Sequence, residues 1–338
     1  MTDYFRPLVQ IGPARPDTAV SLAGGWGWFT HAEVLSRSTP PRVVPAADIP
    51  ASVMARLTAP RPAMAGLTLD RPRIMGILNT TPDSFSDGGQ HNAVPDALRV
   101  GQKMVAAGAD ILDIGGESTR PGADFVPVSE EITRTAPVIA ALRGAGMHTP
   151  ISIDTRKAAV AEAAVSAGAN LVNDVSGFTF DPALGPLCQK LALPVCVMHA
   201  QGDPATMHLD PQYDNVLLDV FDALERQISM LEASGIPRGA ILADPGIGFG
   251  KTQDHNLALL ARLSLFHALG TPILLGVSRK RFIGTIGNAP QAQDRAPGSI
   301  AVALAGLGQG VQMIRVHDVD DTRQAVALWH AAYFGSIL

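Results

Sequence analysis

The sequence predicts an α/β fold, a (β/α)8 TIM barrel preceded by an N-terminal extension. Three observations predict it. Short apolar runs recur eight times between residues 73 and 316, each run meets a polar residue at its end, and a segment of helical periodicity follows each. The alternation fills about 260 residues, an ordinary size for such a barrel. A doubly wound sheet usually has fewer units and offers ligands a crevice rather than a ring.

The opening strand is Arg73 to Leu78. It stops at Asn79 and runs into the polar loop Thr80 to Gly89. Pro95 to Gly108 reads as a helix with Ala97, Val100, Met104 and Ala107 on one face and a C-terminal glycine. Asp110 to Gly116 is the second strand, ending in Glu117 to Gly122. Ser129 is placed to cap the next helix, with Glu130 and Glu131 in its first turn. Strands follow at Ile151 to Thr155, Leu171 to Val175, Pro194 to His199, Ile241 to Asp244, Ile273 to Val277 and Val311 to Val316. Helices are expected between them at Lys157 to Ala167, Pro182 to Leu191, Leu217 to Leu231, Asn256 to Leu269 and Ser299 to Leu307, and last at Asp321 to Tyr333.

Residues 1–65 stand apart from the barrel, expected over 66–338. They hold nine of the 26 prolines and Trp26 and Trp28 of the three tryptophans. Ala23 to Leu35 is too apolar for a free tail and is expected to pack on the barrel or on a second subunit. Arg37 to Pro50 and Ala59 to Pro62 read as extended connectors. Leu67 to Leu69 is a candidate strand closing the barrel bottom.

Composition excludes several classes. Hydrophobic residues make up 46% of the 338 and charged residues 17%, which is too apolar for a disordered chain. The net charge of −5 gives no basic field for nucleic acid. No apolar run approaches about 18 residues, so no membrane span is expected. Cys188 and Cys196 lie inside apolar runs and read as buried reduced thiols. With no apolar leader at the N-terminus, this points to the cytoplasm.

Barrel sites lie at the C-terminal ends of the strands. Those ends carry Asn79, Thr119, Arg120, Asp154, Asn173, His199, Asp244, Ser278, Lys280, Arg315 and His317. Ser152 and Asp154 share a strand face, as do Arg315 and His317. Asp154, Asn173 and Asp244 form an acceptor-rich set suited to a flat heterocycle with several N–H donors, and Lys280 adds a cation. Arg315 and His317 suit phosphate oxygens. The Asn79 oxygen suits a hard cation such as Mg²⁺. A single strand-end Asp is more often a turn or cap residue, and a single Arg-x-His more often a salt bridge, so only the whole set points to a site. His199 is its weakest member and also reads as a hydrogen-bonded core histidine. The other histidines have no metal-ligand spacing. Gly246 to Thr252 resembles a phosphate loop, but the required first glycine is Pro245, so a nucleotide site is rejected.

Over roughly residues 66–335 the sequence resembles the dihydropteroate synthase family. The resemblance rests on ILNTTPDSFSDGG (77–89), DIGGESTRPGA (113–123), SIDT (152–155), VNDVSG (172–177), DPGIGFGK (244–251), GVSRKRFIG (276–284) and RVHDV (315–319). It implies a (β/α)8 barrel that joins 6-hydroxymethyl-7,8-dihydropterin diphosphate to p-aminobenzoate with release of pyrophosphate, aided by Mg²⁺. It implies a pterin pocket of Asp154, Asn173, Asp244 and Lys280, and a diphosphate site of Asn79, Arg315 and His317, with the metal at Asn79. It implies a p-aminobenzoate site of Thr119, Arg120, Phe249 and Ser278, where sulfonamides would compete. Catalytic work falls to Asp154, Lys280, Arg120 and Asp83, and a homodimer is implied. Thr80 and the segment MHAQGDP (198–204) depart from the family pattern, and residues 1–65 have no counterpart in it. A methyltetrahydrofolate–corrinoid methyltransferase would share the barrel but would not need STRPG, SRKR or a diphosphate site. A non-catalytic pterin-binding paralogue is expected to lack Asn79, Arg120, Lys280 or Arg315, and all are present.

Overall fold

The computed structural model describes residues 3–81, 93–118, 125–202, 207 and 209–337. Its N-terminal part is a small β structure. Strands β1 (Tyr4–Pro7), β2 (Val20–Ser21), β3 (Trp28–Phe29), β4 (His31–Leu35) and β5 (Arg42–Pro45) precede helix α1 (Ala51–Thr58). β4 lies between β1 and β5, antiparallel to both, and β2 pairs with β3. The period-2 alternation of strands divides this sheet between two cores. The register partners Phe5 and Val34 join Leu22, Phe29, Val44 and Leu57 in a core of the extension itself. The next partners, Tyr4 and Leu35, face the main core of the barrel.

The barrel strands are β6 (Arg73–Asn79), β7 (Ile111–Gly115), β8 (Ile151–Asp154), β9 (Leu171–Asp174), β10 (Val195–Met198), β11 (Ile241–Asp244), β12 (Leu274–Leu275) and β13 (Met313–Val316). The helices around them are α2 (Ala93–Ala106), α3 (Val128–Gly144), α4 (Ala158–Ser166), α5 (Leu184–Lys190), α6 (Val216–Ala233), α7 (Gln253–Leu260), α8 (Arg281–Ile286), α9 (Ala296–Gly308) and α10 (Val319–Phe334). The eight strands are parallel, in the order β11-β10-β9-β8-β7-β6-β13-β12, and a parallel bridge from Ala243 to Ile273 joins the two ends. Alternation again sorts the side chains. Met75, Ile111, Leu171, Cys196, Leu242, Leu274 and Met313 fill the barrel interior above Met64 and Leu69, which plug its floor. Ile74, Leu112, Ile153, Val172, Val197 and Ile241 face the helices. Both cysteines are buried and unpaired, and burial pushes both thiols up. No helix of the described residues is long and apolar enough to cross a membrane.

Four local expectations need correction. Residues 37–50 are not a plain connector, because 42–45 pair as β5 and 46–48 make a 3₁₀ turn. α3 starts at Val128 after Pro127, so Ser129 lies in the first turn and caps nothing. The segment Asn256 to Leu269 is α7 followed by a 3₁₀ helix over 263–269, which meets the extension where Ser264 bonds to Pro7 O. Ile273 to Val277 keeps only Leu274–Leu275 as strand, since the polypeptide leaves the sheet early to form the mouth segment 276–280.

The extension is tied to the barrel by directional contacts. Tyr4 Oη donates to Asp222 on α6 at 2.9 Å, and Trp26 Nε1 donates to Leu307 O on α9 at 2.9 Å. Ser264 Oγ donates to Pro7 O at 2.9 Å. Arg37 pairs with Asp219 and Asp222, both at 2.7 Å.

Candidate active site

The strand register builds the mouth. Asn79, Gly115, Asp154 and Asn173 are successive register partners across β6, β7, β8 and β9, so all point inward at one level. Gly115 has no side chain. A Cβ there would lie 3.8 Å from both Asn79 Oδ1 and Asp154 Oδ2, so these two oxygens face each other over it. One pleat lower stand Asp113 and Ser152, also register partners and both fully buried.

Charge converges on Arg315, from β13. Its Nε donates to Asp113 Oδ2 at 2.6 Å and its Nη2 to Asp154 Oδ2 at 2.8 Å. Asn173 Nδ2 donates to the same Asp113 oxygen at 3.2 Å. Asp113 thus orients one residue from the acceptor set and the arginine of the anion set. It was absent from the candidate residues, although the alternation Ile111, Asp113, Gly115 shows a carboxylate on the inward face of an apolar strand. Its Oδ1 and the Ser152 hydroxyl have no hydrogen-bond partner among the described residues.

Asp244 ends β11, and its Oδ1 accepts from Gly246 N at 2.7 Å. A Cβ on Gly276 would lie 3.6 Å from its other oxygen, so Gly276 borders that oxygen. Lys280 precedes α8, and its Nζ lies 4.0 Å from the centroid of the Phe249 ring. Arg279 takes a left-handed φ of 58° and pairs with Asp318, so Ser278 and Lys280 flank a residue turned to another partner. Ser278 Oγ accepts from His317 N at 3.1 Å and lies 2.9 Å from His317 Nδ1. The structure therefore brings Asp154, Asn173 and Arg315 into one network, places Asn79 beside it, and holds Ser278 against His317. Asp83, Thr119 and Arg120 lie outside the described residues.

Burial sets the protonation of this group. Burial pushes Asp154 up to about 8, against the pull of Arg315 and with Asp113 adding repulsion. Burial also raises Asp244, although Gly246 N–H and Lys280 oppose it. Burial lowers Lys280 to about 8, against the attraction of Asp244. For Arg315 the carboxylates of Asp113 and Asp154 outweigh burial and hold the guanidinium charged. These are buried charges with incomplete partners, as expected where a polar ligand completes the set.

Around the mouth, Asp174 accepts from Ser176 N, Ser176 Oγ and Phe178 N, each at 2.7 Å, and so shapes the loop after β9. The base of the loop after β7 is tied by ions. Glu117 Oε1 accepts from Val126 N at 3.1 Å, and Lys157 Nζ donates to Val126 O at 2.7 Å and Glu131 at 2.6 Å. Burial pushes Glu117 up, but Arg156, the Val126 N–H and Lys157 outweigh it and hold its carboxyl below the usual range. A cavity of about 420 Å³ opens beside His199, lined also by Arg37, Gln201, Tyr213 and Arg226; Asp154, Asn173, Asp244 and Lys280 are not among its walls.

For a metal, no group of three His, Cys, Asp or Glu side chains is placed to hold one among the described residues. Asn79 Oδ1 makes no hydrogen bond among those residues and stands opposite Asp154. One protein oxygen of this kind fits a Mg²⁺ ion that keeps its waters and is held chiefly by substrate phosphates.

Similarity to known proteins covers most of the chain. The family described as Pterin binding enzyme matches residues 75–317. The chain is 43% identical over 257 residues to a dihydropteroate synthase of Synechocystis sp., covering 75% of this chain and 89% of the relative. It is 44% identical over 255 residues to that of Escherichia coli, with the same coverage of 75% and 89%. Among solved structures, Xanthomonas albilineans dihydropteroate synthase with 4-aminobenzoic acid matches with a TM-score of 0.75 at 46% identity, over 79% of this chain and 96% of that one. A Yersinia pestis dihydropteroate synthase in complex with a sulfonamide drug matches at 0.75 and 45%, over 80% and 98%.

Proposed function

The chain belongs to the pterin-binding enzyme family, and on that premise we propose that it is a transferase of folate synthesis that catalyses the dihydropteroate synthase reaction. It joins 6-hydroxymethyl-7,8-dihydropterin diphosphate to p-aminobenzoate and releases pyrophosphate. The observation that carries this reading is the convergence of Asp154, Asn173, Asp244, Lys280 and Arg315 on one barrel mouth, with the family's motifs at the same strand ends. A related structure holds 7,8-dihydropteroate, the product this reaction would form, at a TM-score of 0.72 and 43% identity over 79% of this chain and 95% of that one.

In this mechanism the carboxyl oxygens of Asp154 and Asp244 and the Asn173 side-chain oxygen accept from the pterin's N–H groups, and Lys280 donates to a ring oxygen or nitrogen. The C–O bond to the diphosphate breaks and its electrons leave with pyrophosphate. The remaining pterin-methyl cation is delocalised over the dihydropterin ring, and the carboxyl oxygens of the mouth favour it. Arg315 and His317 are assigned to the departing anion. Asn79 would hold Mg²⁺, which when bound supplies charge neutralisation for the diphosphate. The neutral amine of p-aminobenzoate, seated by Phe249 and Ser278 with Thr119 and Arg120, attacks the methylene carbon and loses a proton. No protein nucleophile is needed. Asp83 and Arg120 are assigned to the ordering of the loops that exclude water. The resemblance implies a homodimer, and the buried unpaired Cys188 and Cys196 suit the cytoplasm.

The test is pyrophosphate release from the dihydropterin diphosphate with Mg²⁺, with and without p-aminobenzoate. Release that depends on p-aminobenzoate and falls at least 100-fold in Arg315→Ala, a drop of about 2.7 kcal/mol in transition-state stabilisation, is the expected result. Pterin binding without release would instead favour the non-catalytic paralogue.

A further inference from the structure

We propose that Lys251, at the end of the segment that resembles a phosphate loop, is a positioning residue for the p-aminobenzoate site, fixing the glycine-rich loop so that Phe249 lies against Lys280. The proposal rests on the functional reading above, in which Phe249 seats the second substrate.

In a phosphate loop, backbone N–H groups converge on an anion. Here the arrangement is reversed, because backbone carbonyls converge on a cation. Lys251 is 5% exposed, and its ammonium donates to Gly246 O at 2.9 Å, Phe249 O at 3.0 Å and His199 O at 3.3 Å. The His199 ring nitrogen Nδ1 lies 2.9 Å away. Burial, with Lys251 beside it, keeps that ring neutral, so Nδ1 serves as an acceptor. The ammonium is satisfied without a carboxylate in contact, and it joins the exit of β10 to both ends of the turn that carries Phe249.

The glycines exist for the same purpose. Gly246, at φ 67°, would place a Cβ 1.9 Å from His199 O, and Gly250, at φ 59°, 2.4 Å from Gln201 O. Only a residue without a side chain lets this loop lie directly on the backbone leaving β10. Three further backbone groups of the loop are held as well. Phe249 N donates to Gly246 O, Gly248 N to Asn256 Oδ1 at 2.7 Å, and Tyr213 Oη to Gly250 O at 2.8 Å. Lys251 is the element of this clamp that touches Phe249's own carbonyl, and it contacts neither Asp154, Asn173 nor Lys280 by hydrogen bond among the described residues.

The experiment compares full-length wild type, Lys251→Met, Phe249→Ala and the double variant. Lys251→Met is expected to raise KM for p-aminobenzoate about tenfold, with pterin affinity by calorimetry changed less than twofold. In the double variant the Lys251 substitution is expected to add nothing to the KM of Phe249→Ala, because its effect passes through that ring. Equal weakening of both substrates, unchanged KM, or independent additive effects would overturn the proposal. If Lys251→Met does not fold, His199→Leu removes one acceptor of the ammonium and is expected to shift KM for p-aminobenzoate about threefold in the same direction; an unchanged KM there counts equally against it. Wild type without p-aminobenzoate-dependent release would defeat the functional reading itself, a separate outcome.

Discussion

Asp113 and Asp154 both pair with Arg315, but their surroundings differ. Asp113 has a side chain with no exposure, whereas that of Asp154 is 14% exposed. Removing the deeper partner leaves the Asn173 amide and Arg315 Nε without their acceptor in the interior. Asp113→Ala is therefore expected to lower the unfolding free energy by about 3 kcal/mol, more than Asp154→Ala does; urea denaturation of the two variants checks the order. Asp154 also makes stability depend on pH. Its carboxyl is raised from 3.8 to about 8, so the neutral acid suits the fold. That contribution is complete below about pH 3.8 and is lost as pH rises through 8. Asp154→Asn does not titrate, so its stability relative to wild type should improve steadily from pH 5 to pH 8 in ligand-free protein. A gap independent of pH would show that Asp154 is ionised throughout.

At the scale of elements, the described base of the loop after β7 is held by a buried ionic cluster. Glu131 is fully buried on α3, and Lys157, 2% exposed just before α4, reaches both it and Val126. Lys157→Met leaves the buried Glu131 carboxylate without its cation and is expected to cost about 3–5 kcal/mol. Adding Glu131→Met should recover a large part, since a matched apolar pair is tolerated where a lone charge is not. Thermal unfolding of the single and double variants reads this directly. The cluster was not apparent in the sequence. Glu117, Glu131 and Lys157 belong to different elements, and Glu131 read only as a dipole-compensating residue in a first turn. The strand ends were apparent, because each carries a polar residue after an apolar run.

For the whole molecule, the question is whether residues 3–65 and the barrel unfold together. The extension shares the core through Tyr4 and Leu35, and Trp26 contacts Trp329 on α10 edge to face at 6.4 Å between ring centroids. One cooperative transition is expected, with tryptophan fluorescence and far-UV circular dichroism coincident. Trp26→Ala, which removes a half-buried ring and its bond to Leu307 O, should lower stability by about 2 kcal/mol without splitting that transition. Two separate transitions would show an independently folding N-terminal domain.

The barrel, its inward polar residues and the family are legible in local pattern. Hydrophobic periodicity follows directly from the pleat and the helix turn, and the motifs stand at strand ends. Which residues meet is set by the folded chain. The pairing of Arg315 with Asp113 and Asp154 joins strands up to 202 positions apart. The carbonyl cage around Lys251 depends on two loops 52 positions apart lying backbone to backbone. The sheet hidden in the proline-rich extension is held by pairing and by the barrel's apolar flank, which no local pattern encodes. Contacts between distant elements are set by closure of the sheet and by packing, so their identity is fixed in space and not in spacing along the chain.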